Sequence, residues 1–133
     1  MDVYLSEEAW QQLRAQALEI PHAKAAGLLL GHRRGPRFLV EEVYPCRFGP
    51  LPDATMYLEL DRIFKGRIIG FYSSASRTRK AGLEWRPYSY NKLYLELGLG
   101  AKKRLRLKAA VVEYAESFRL VPAALAAGPK GRR

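Results

Sequence analysis

Two uninterrupted apolar runs constrain the fold of this 133-residue chain more than any other feature. They are "AAGLLLG" at residues 25–31 and "RIIGFYSS" at residues 67–74. Both are shorter than the roughly 20 apolar residues that a membrane-spanning helix needs. Short apolar runs between turn residues are typical of strands that are buried on both faces. The sequence therefore predicts a sheet whose central strands are covered on two sides.

The segment before the first apolar run has the pattern of a strand followed by a helix. "MDVYL" predicts a short strand, and Ser6 then stands where a helix N-cap belongs. Glu7 and Glu8 place negative charge at the positive end of the helix dipole. Apolar residues recur at helical spacing up to Pro21, which ends the run: Trp10, Leu13, Ala17 and Ile20.

The remaining segments predict one domain with a mixed order of strands and helices. "FLVEEVYPC" is a hairpin partner for the first apolar strand, and "MYLELDRIFKG" predicts a strand end with one or two helical turns. A helix is expected from about Tyr88 to Lys103, and a final hairpin in "LKAAVVEY" and "SFRLVPA". This order predicts an α/β or α+β sandwich over residues 1–122. Residues 123–133 are expected to form a flexible basic tail.

Composition limits the classes of partner and the redox environment. The net charge is +10, from 23 basic against 13 acidic residues, which permits attraction to nucleic acid or another polyanion. Cys46 is the only cysteine, so neither an internal disulfide nor a multi-cysteine zinc cluster is possible. A reducing, cytoplasmic location is the default expectation. The low asparagine content favours a thermophilic source.

Three fragments, in this order, resemble segments of the JAMM/MPN domain family of metal-dependent isopeptidases and their inactive relatives. "KAAGLLLG" is similar to the family's Glu-Ala-Cys-Gly-Leu-Leu-Leu-Gly segment, and "RIIGFYSSAS" is similar to its Ile-Val-Gly-Phe-Tyr-His-Ser-His-Pro segment. The closing hairpin "LKAAVVEYAESFRLV" is placed as the family's last strands are placed. The resemblance covers roughly residues 3 to 121. It implies a JAMM/MPN-like, cytidine-deaminase-like mixed sheet flanked by helices.

The same resemblance assigns each catalytic position of the family to a residue of this chain. The catalytic glutamate corresponds to Lys24, and the two metal-binding histidines correspond to Ser73 and Ala75. The serine between the histidines corresponds to Ser74. The metal-binding aspartate corresponds to Asn91 through the pattern "PYSYN", or to Arg86 under strict spacing from the second histidine; the helix expected after residue 91 favours Asn91.

These assignments predict a domain that has lost the family's chemistry. A zinc hydrolase needs imidazole and carboxylate ligands, and the ion then lowers the pKa of its bound water to about 7. Ser73, Ala75 and Asn91 are poor or impossible ligands, and Lys24 adds positive charge. We therefore expect a catalytically inactive domain without metal or other cofactor. Lys24 has two interpretations: its ammonium occupies the vacated cation position, or it reaches solvent along its own stem.

The resemblance also bears on partners, because inactive members of the family typically pair with other MPN domains or scaffold complexes. It implies a protein partner or self-association. The alternative is a nucleic-acid or polyanion-binding module, because basic residues interleave with aromatic ones in one loop: Arg77, Arg79, Lys80, Trp85, Arg86 and Tyr88. A second basic group would join it: Lys102, Lys103, Arg104, Arg106 and Lys108. A remote alternative is a divergent hydrolase with Ser73 or Ser74 as nucleophile and Lys24 as base.

Overall fold

A computed structural model describes residues 1–19, 25–46, 52–74, 86–100 and 104–126, and these form a mixed α+β domain. The elements in chain order are β1 (Asp2–Leu5), α1 (Glu7–Glu19), β2 (Ala26–Arg34), β3 (Arg37–Pro45), α2 (Ala54–Ile63), β4 (Ile68–Ser74), β5 (Leu93–Leu99), β6 (Leu105–Ala115), β7 (Ser117–Pro122) and β8 (Ala124–Leu125). A single 3-10 turn at Pro87–Ser89 precedes β5. No helix in these ranges is long and apolar enough to cross a membrane.

The eight strands form one sheet in the order β7-β6-β5-β4-β2-β3-β1-β8. The hairpins β2–β3, β5–β6 and β6–β7 are antiparallel, and β4 also pairs antiparallel with β2. The pairs β4–β5, β1–β3 and β1–β8 are parallel. The sheet is nearly closed, because the Ala123 amide donates to the Ala109 carbonyl at 3.0 Å and returns the last strand towards β6.

The two apolar runs form β2 and β4, which lie side by side and are buried on both faces. Leu29 packs into one core together with α1, whereas Leu28 and Leu30 pack into a second core beneath α2. In β4 the alternation continues, with Tyr72 in the first core and Phe71 in the second. Because successive side chains of a strand point to opposite faces, only an unbroken apolar run can supply both cores. The prediction of two-sided burial is confirmed.

The first helix begins and packs as the sequence indicates. The Ser6 hydroxyl accepts a hydrogen bond from the Ala9 amide at 2.9 Å, as an N-cap residue does. Leu13 is fully buried in the first core, and the Gln12 side chain accepts a hydrogen bond from the Val43 amide of β3 at 3.1 Å. The helix is thereby fixed against the curved sheet.

Three local predictions are wrong. The helix expected from Tyr88 to Lys103 is strand β5 instead, because Leu93, Leu95 and Leu97 alternate with period two and all three are buried. "MYLELDRIFKG" contributes no strand end, since Asp53 caps a ten-residue helix α2. The predicted tail starts too early, because β8 pairs with β1. Residues 127–133 lie outside the described ranges.

Candidate functional site

The carboxyl end of β4 is the place where the family resemblance puts a metal site, and we call it the cleft end. Ser73 pairs with Ala26 of β2, and the Ser74 amide donates to the Ala25 carbonyl at 3.0 Å. Ser73 is fully buried, and its hydroxyl shares a hydrogen bond with the Tyr94 hydroxyl of β5. Ser73 is therefore a core residue whose hydroxyl is bonded inside the protein.

Asn91 does not join the serines of the cleft end. The parallel pairing of β4 and β5 sets Gly70 against Leu93, so Asn91 lies level with the start of β4. Five residues of strand, about 17 Å at 3.3 Å per residue, separate that level from Ser73. Asn91 instead has a positive φ of 65°, and its amide donates to the Val112 carbonyl at 2.8 Å. The structure therefore separates two members of the predicted cleft.

The other predicted cleft residues cannot be added to this geometry. Lys24 and Ala75 lie outside the described residues, and so both interpretations of Lys24 stay predictions. In the part of the chain that the structure describes, no group of three or more His, Cys, Asp or Glu side chains is placed to hold a metal ion.

The predicted basic and aromatic loop is described only at its end, since Arg77, Arg79, Lys80 and Trp85 fall outside the described ranges. Tyr88 stacks on Tyr57 with ring centroids 4.1 Å apart, and its hydroxyl donates to the Pro52 carbonyl. Burial raises the pKa of the Tyr88 hydroxyl. Arg86 is half-buried as well. The predicted use of Tyr88 as a stacking surface for a partner conflicts with this packing.

The second basic group is partly ordered into a stripe on β6. Arg104, Arg106 and Lys108 are all exposed, and their spacing of two residues puts them on one face of the strand. Glu96 of β5 lies opposite Lys108. Lys102 and Lys103 lie outside the described residues. We call Arg104, Arg106 and Lys108 the β6 stripe.

A cavity that the sequence did not indicate lies at the opposite end of β4, and we call it the pole pocket. Its volume is about 310 Å³, and it is lined by Gly31, His32, Arg33, Phe38, Gly66, Ile68, Ile69, Asn91 and Lys92. These residues come from the β2–β3 hairpin, the turn before β4 and the approach to β5. None of the described lining residues carries a carboxylate.

The Arg33 side chain is fixed at the edge of the pole pocket. Its Nε donates to the Gly35 carbonyl at 3.0 Å, and its Nη1 donates to the Asn91 carbonyl at 3.1 Å. The guanidinium carbon lies 4.7 Å from the centre of the Phe38 ring, within the range of a cation–π contact. These contacts orient the guanidinium without neutralising its charge.

Lys92 supplies a second cation to the pole pocket. Burial lowers the pKa of its ammonium, Asp61 acts in the opposite direction, and the like charge of Arg33 lowers it further. His32 is exposed and lies 3.4 Å from a Glu41 carboxylate oxygen, which Arg67 also contacts. Sequence reasoning missed Arg33 and Lys92 as a pair, because they are far apart in the chain and only the parallel β4–β5 pairing brings them together.

Comparison with known proteins adds a likeness of fold. No protein-family model and no curated protein matches this chain. The solution structure of protein DSY2949 from Desulfitobacterium hafniense matches with a TM-score of 0.61 and 20% identity, over 93% of this chain and 92% of that one. At this level of identity the match shows that the chain shares the fold of that protein.

Proposed function

We propose that this chain is a non-catalytic JAMM/MPN-like domain that works by association with protein, in the first instance with a second copy of itself. The resemblance of three ordered fragments supports the family. The burial and the hydrogen bond of Ser73 support the loss of catalysis. Where the resemblance calls for a metal-binding imidazole, a small hydroxyl is buried and bonded to Tyr94.

The observation that carries the binding proposal is the exposed apolar surface of α2. Tyr57 and Leu60 face the second core, which gives this short helix its inward apolar stripe. Three further large apolar side chains are nevertheless exposed: Met56 at 43%, Leu58 at 64% and Ile63 at 65%. Apolar surface of this kind on a small domain marks an interaction surface. A two-fold dimer that packs α2 against α2 would bury exposed apolar side chains of this helix on both copies.

Sedimentation velocity over a range of protein concentrations, at high salt, tests the association. We expect a dimer that persists at high salt, because apolar contacts are not screened. The double variant Leu58→Glu/Ile63→Glu should be monomeric. Leu99→Glu places the same charge at an exposed apolar position of β5, outside α2, and it should dimerise as the native chain does. A native chain that is monomeric at every concentration would refute self-association.

Zinc titration tests the loss of catalysis separately. We expect no stoichiometric zinc site with a dissociation constant below about 1 µM. The titration is followed by calorimetry on the native chain and on Ser74→Ala. A tight site that the Ser74 substitution weakens would make the cleft end a metal centre and would overturn the non-catalytic assignment.

A second candidate function, polyanion binding, is favoured by the β6 stripe. Its three exposed cations share one strand face at alternating positions, a spacing of about 7 Å. A row of this kind can neutralise successive charges of an extended polyanion. The weakness of this candidate is Glu96, which lies opposite Lys108 and subtracts charge from the stripe.

Salt-dependent binding to a mixed-sequence single-stranded DNA tests this candidate. If the stripe is the site, Arg104→Gln/Arg106→Gln should weaken binding and reduce the salt slope by roughly one to two. Arg34→Gln/Arg37→Gln removes two exposed charges from the distant β2–β3 hairpin, and it should have a smaller effect. Equal effects of all these substitutions would show that only the net charge matters.

A further inference from the structure

The pole pocket combines apolar lining residues with a cationic rim. The apolar lining residues are Phe38, Ile68 and Ile69, and all three are almost fully buried. The rim carries Arg33 and Lys92. At about 310 Å³ the cavity is at the lower end of the range for small-molecule sites, roughly 300 to 1,000 Å³. A pocket of this size accepts a metabolite-sized molecule and is too small for a folded partner.

Two glycines of the pocket lining are required by the local backbone. Gly31 sits where the β2 register shifts against β3, and a side chain there would have its first carbon 1.9 Å from the Leu39 carbonyl oxygen. Gly66 has a φ of +75° in the turn before β4, a conformation that L side chains rarely adopt. The local backbone therefore favours glycine at both of these lining positions.

In the described part of the chain neither rim cation has a carboxylate within ion-pair distance, although Asp61 attracts the Lys92 ammonium from farther away. The Arg33 guanidinium has five N–H donors. Three of them donate to acceptors in the protein: the Gly35 carbonyl, the Asn91 carbonyl and the Met1 sulfur. Among the described residues neither Arg33 nor Lys92 forms an ion pair with a carboxylate, whereas the neighbouring Glu41 is engaged by His32 and Arg67.

We propose that the pole pocket binds a small organic anion. Its carboxylate or phosphate group lies between Arg33 and Lys92, and its remaining part occupies the rest of the pocket. Guanidinium and ammonium donors form short, charge-assisted hydrogen bonds to such groups, and the fixed Arg33 fork loses little freedom on binding. The anion would also relieve the repulsion between two cations held close together. This site does not depend on protein association at α2 or on the β6 stripe.

Nitrogen-15 NMR titrations of the full chain test the proposal, with phenyl phosphate, benzoate, benzyl alcohol and inorganic phosphate as probes. We expect phenyl phosphate or benzoate to shift the amide signals of Gly31, Arg33, Gly66 and Lys92 in a saturable way. Benzyl alcohol lacks the charge and inorganic phosphate lacks the ring, so each should bind at least about tenfold more weakly. The relative strength of phenyl phosphate and benzoate then identifies the preferred anionic group.

Matched lysine variants separate the pocket from general charge. Lys92→Met should weaken the better probe by roughly tenfold, since it removes a charge-assisted hydrogen bond. Lys92→Arg should restore most of the affinity. Lys108→Met removes an exposed lysine from the β6 stripe and should leave binding unchanged. The proposal is overturned if no probe saturates, if shifts spread over all basic surfaces, if inorganic phosphate or benzyl alcohol binds as well as phenyl phosphate, or if both Met variants weaken binding equally.

Discussion

The two ends of β4 differ in how their polar groups are satisfied. At the cleft end the Ser73 hydroxyl is buried and bonded to Tyr94. At the pole pocket Arg33 and Lys92 surround an open cavity, with no carboxylate among its described lining residues. A polar group with its partner supplied by the core stabilises the fold, whereas a cation beside an empty cavity is available to a ligand. We therefore expect a small molecule to bind at the pole pocket rather than at the cleft end, although the cleft end is the one that resembles an active site.

The largest expected effect concerns the glycine that forms the pocket wall. In Gly31→Ala the new Cβ would lie 1.9 Å from the Leu39 carbonyl oxygen, so the backbone of the hairpin has to shift. We expect a loss of at least about 3 kcal/mol in the free energy of unfolding, measured by urea denaturation. A Cβ at Gly98 meets nothing within 4 Å, and Gly98→Ala should change stability by no more than about 0.5 kcal/mol. Equal losses would contradict the close approach that defines the pocket wall.

Cysteine reactivity tests whether the cleft end is chemically inert. The Cys46 amide donates to the Ala26 carbonyl at 3.0 Å, next to the strand position that pairs with Ser73. Burial raises the pKa of the Cys46 thiol to about 11, roughly two units above that of an exposed cysteine. At pH 8 the thiolate should therefore be roughly a hundredfold scarcer than in the unfolded chain. Iodoacetamide should react correspondingly slowly with the native protein. A native rate equal to the unfolded rate would indicate an activated thiol at the cleft end.

The sequence was sufficient for the parts of the fold that local patterns determine. The apolar runs predicted β2 and β4, and Ser6 with the following helical spacing predicted α1. The segment after the basic loop was misread, because glycine-containing leucine patterns fit a short helix as well as a strand. Only pairing with β4 and β6 selects the strand, and that pairing is a long-range property.

That single misreading also shaped the predicted site. The expected helix after Asn91 favoured it as the counterpart of a metal-binding aspartate, near Ser73. Because β5 is parallel to β4, Asn91 belongs to the opposite end. The same pairing brings Lys92 to Arg33, two residues with no shared motif in the sequence. Composition revealed many basic residues, but the relation of each to a cavity depends on the order of strands in the sheet.

A double-mutant cycle measures how much the Ser73–Tyr94 hydrogen bond at the cleft end contributes to stability. Ser73→Ala and Tyr94→Phe each remove one partner of a buried hydrogen bond, and each should lower the free energy of unfolding by about 1 to 2 kcal/mol. The double variant should lose less than the sum, with a coupling of about 1 kcal/mol, because no partner is then left unbonded. Urea denaturation of the four proteins measures the cycle. A Ser73→Ala variant as stable as the native chain would show that the hydroxyl is retained for another reason.

The smallest expected effect concerns Lys92 and the cost of an unneutralised cation at the pole pocket. Burial lowers the pKa of Lys92 in the folded state. In the unfolded chain the lysine has its ordinary pKa of about 10.4, so the unfolded chain binds this proton more tightly than the folded protein does. Native stability is thus reduced below the folded pKa, and it recovers as the pH rises through both values. Lys92→Met should therefore stabilise the protein slightly at pH 7, because the variant no longer holds a partly buried charge.

The pH dependence of that gain separates charge from packing. The stabilisation by Lys92→Met should disappear towards pH 11, where the native lysine is neutral in both states, while Lys108→Met should show no such trend. Urea denaturation at both pH values, with Arg33 and Asp61 present in every variant, measures the difference. If Lys92→Met instead destabilises the protein at pH 7, the native ammonium already has an acceptor within the fold. Lys92 would then have its partner inside the protein, as Ser73 does, and the two ends of β4 would not differ in this respect.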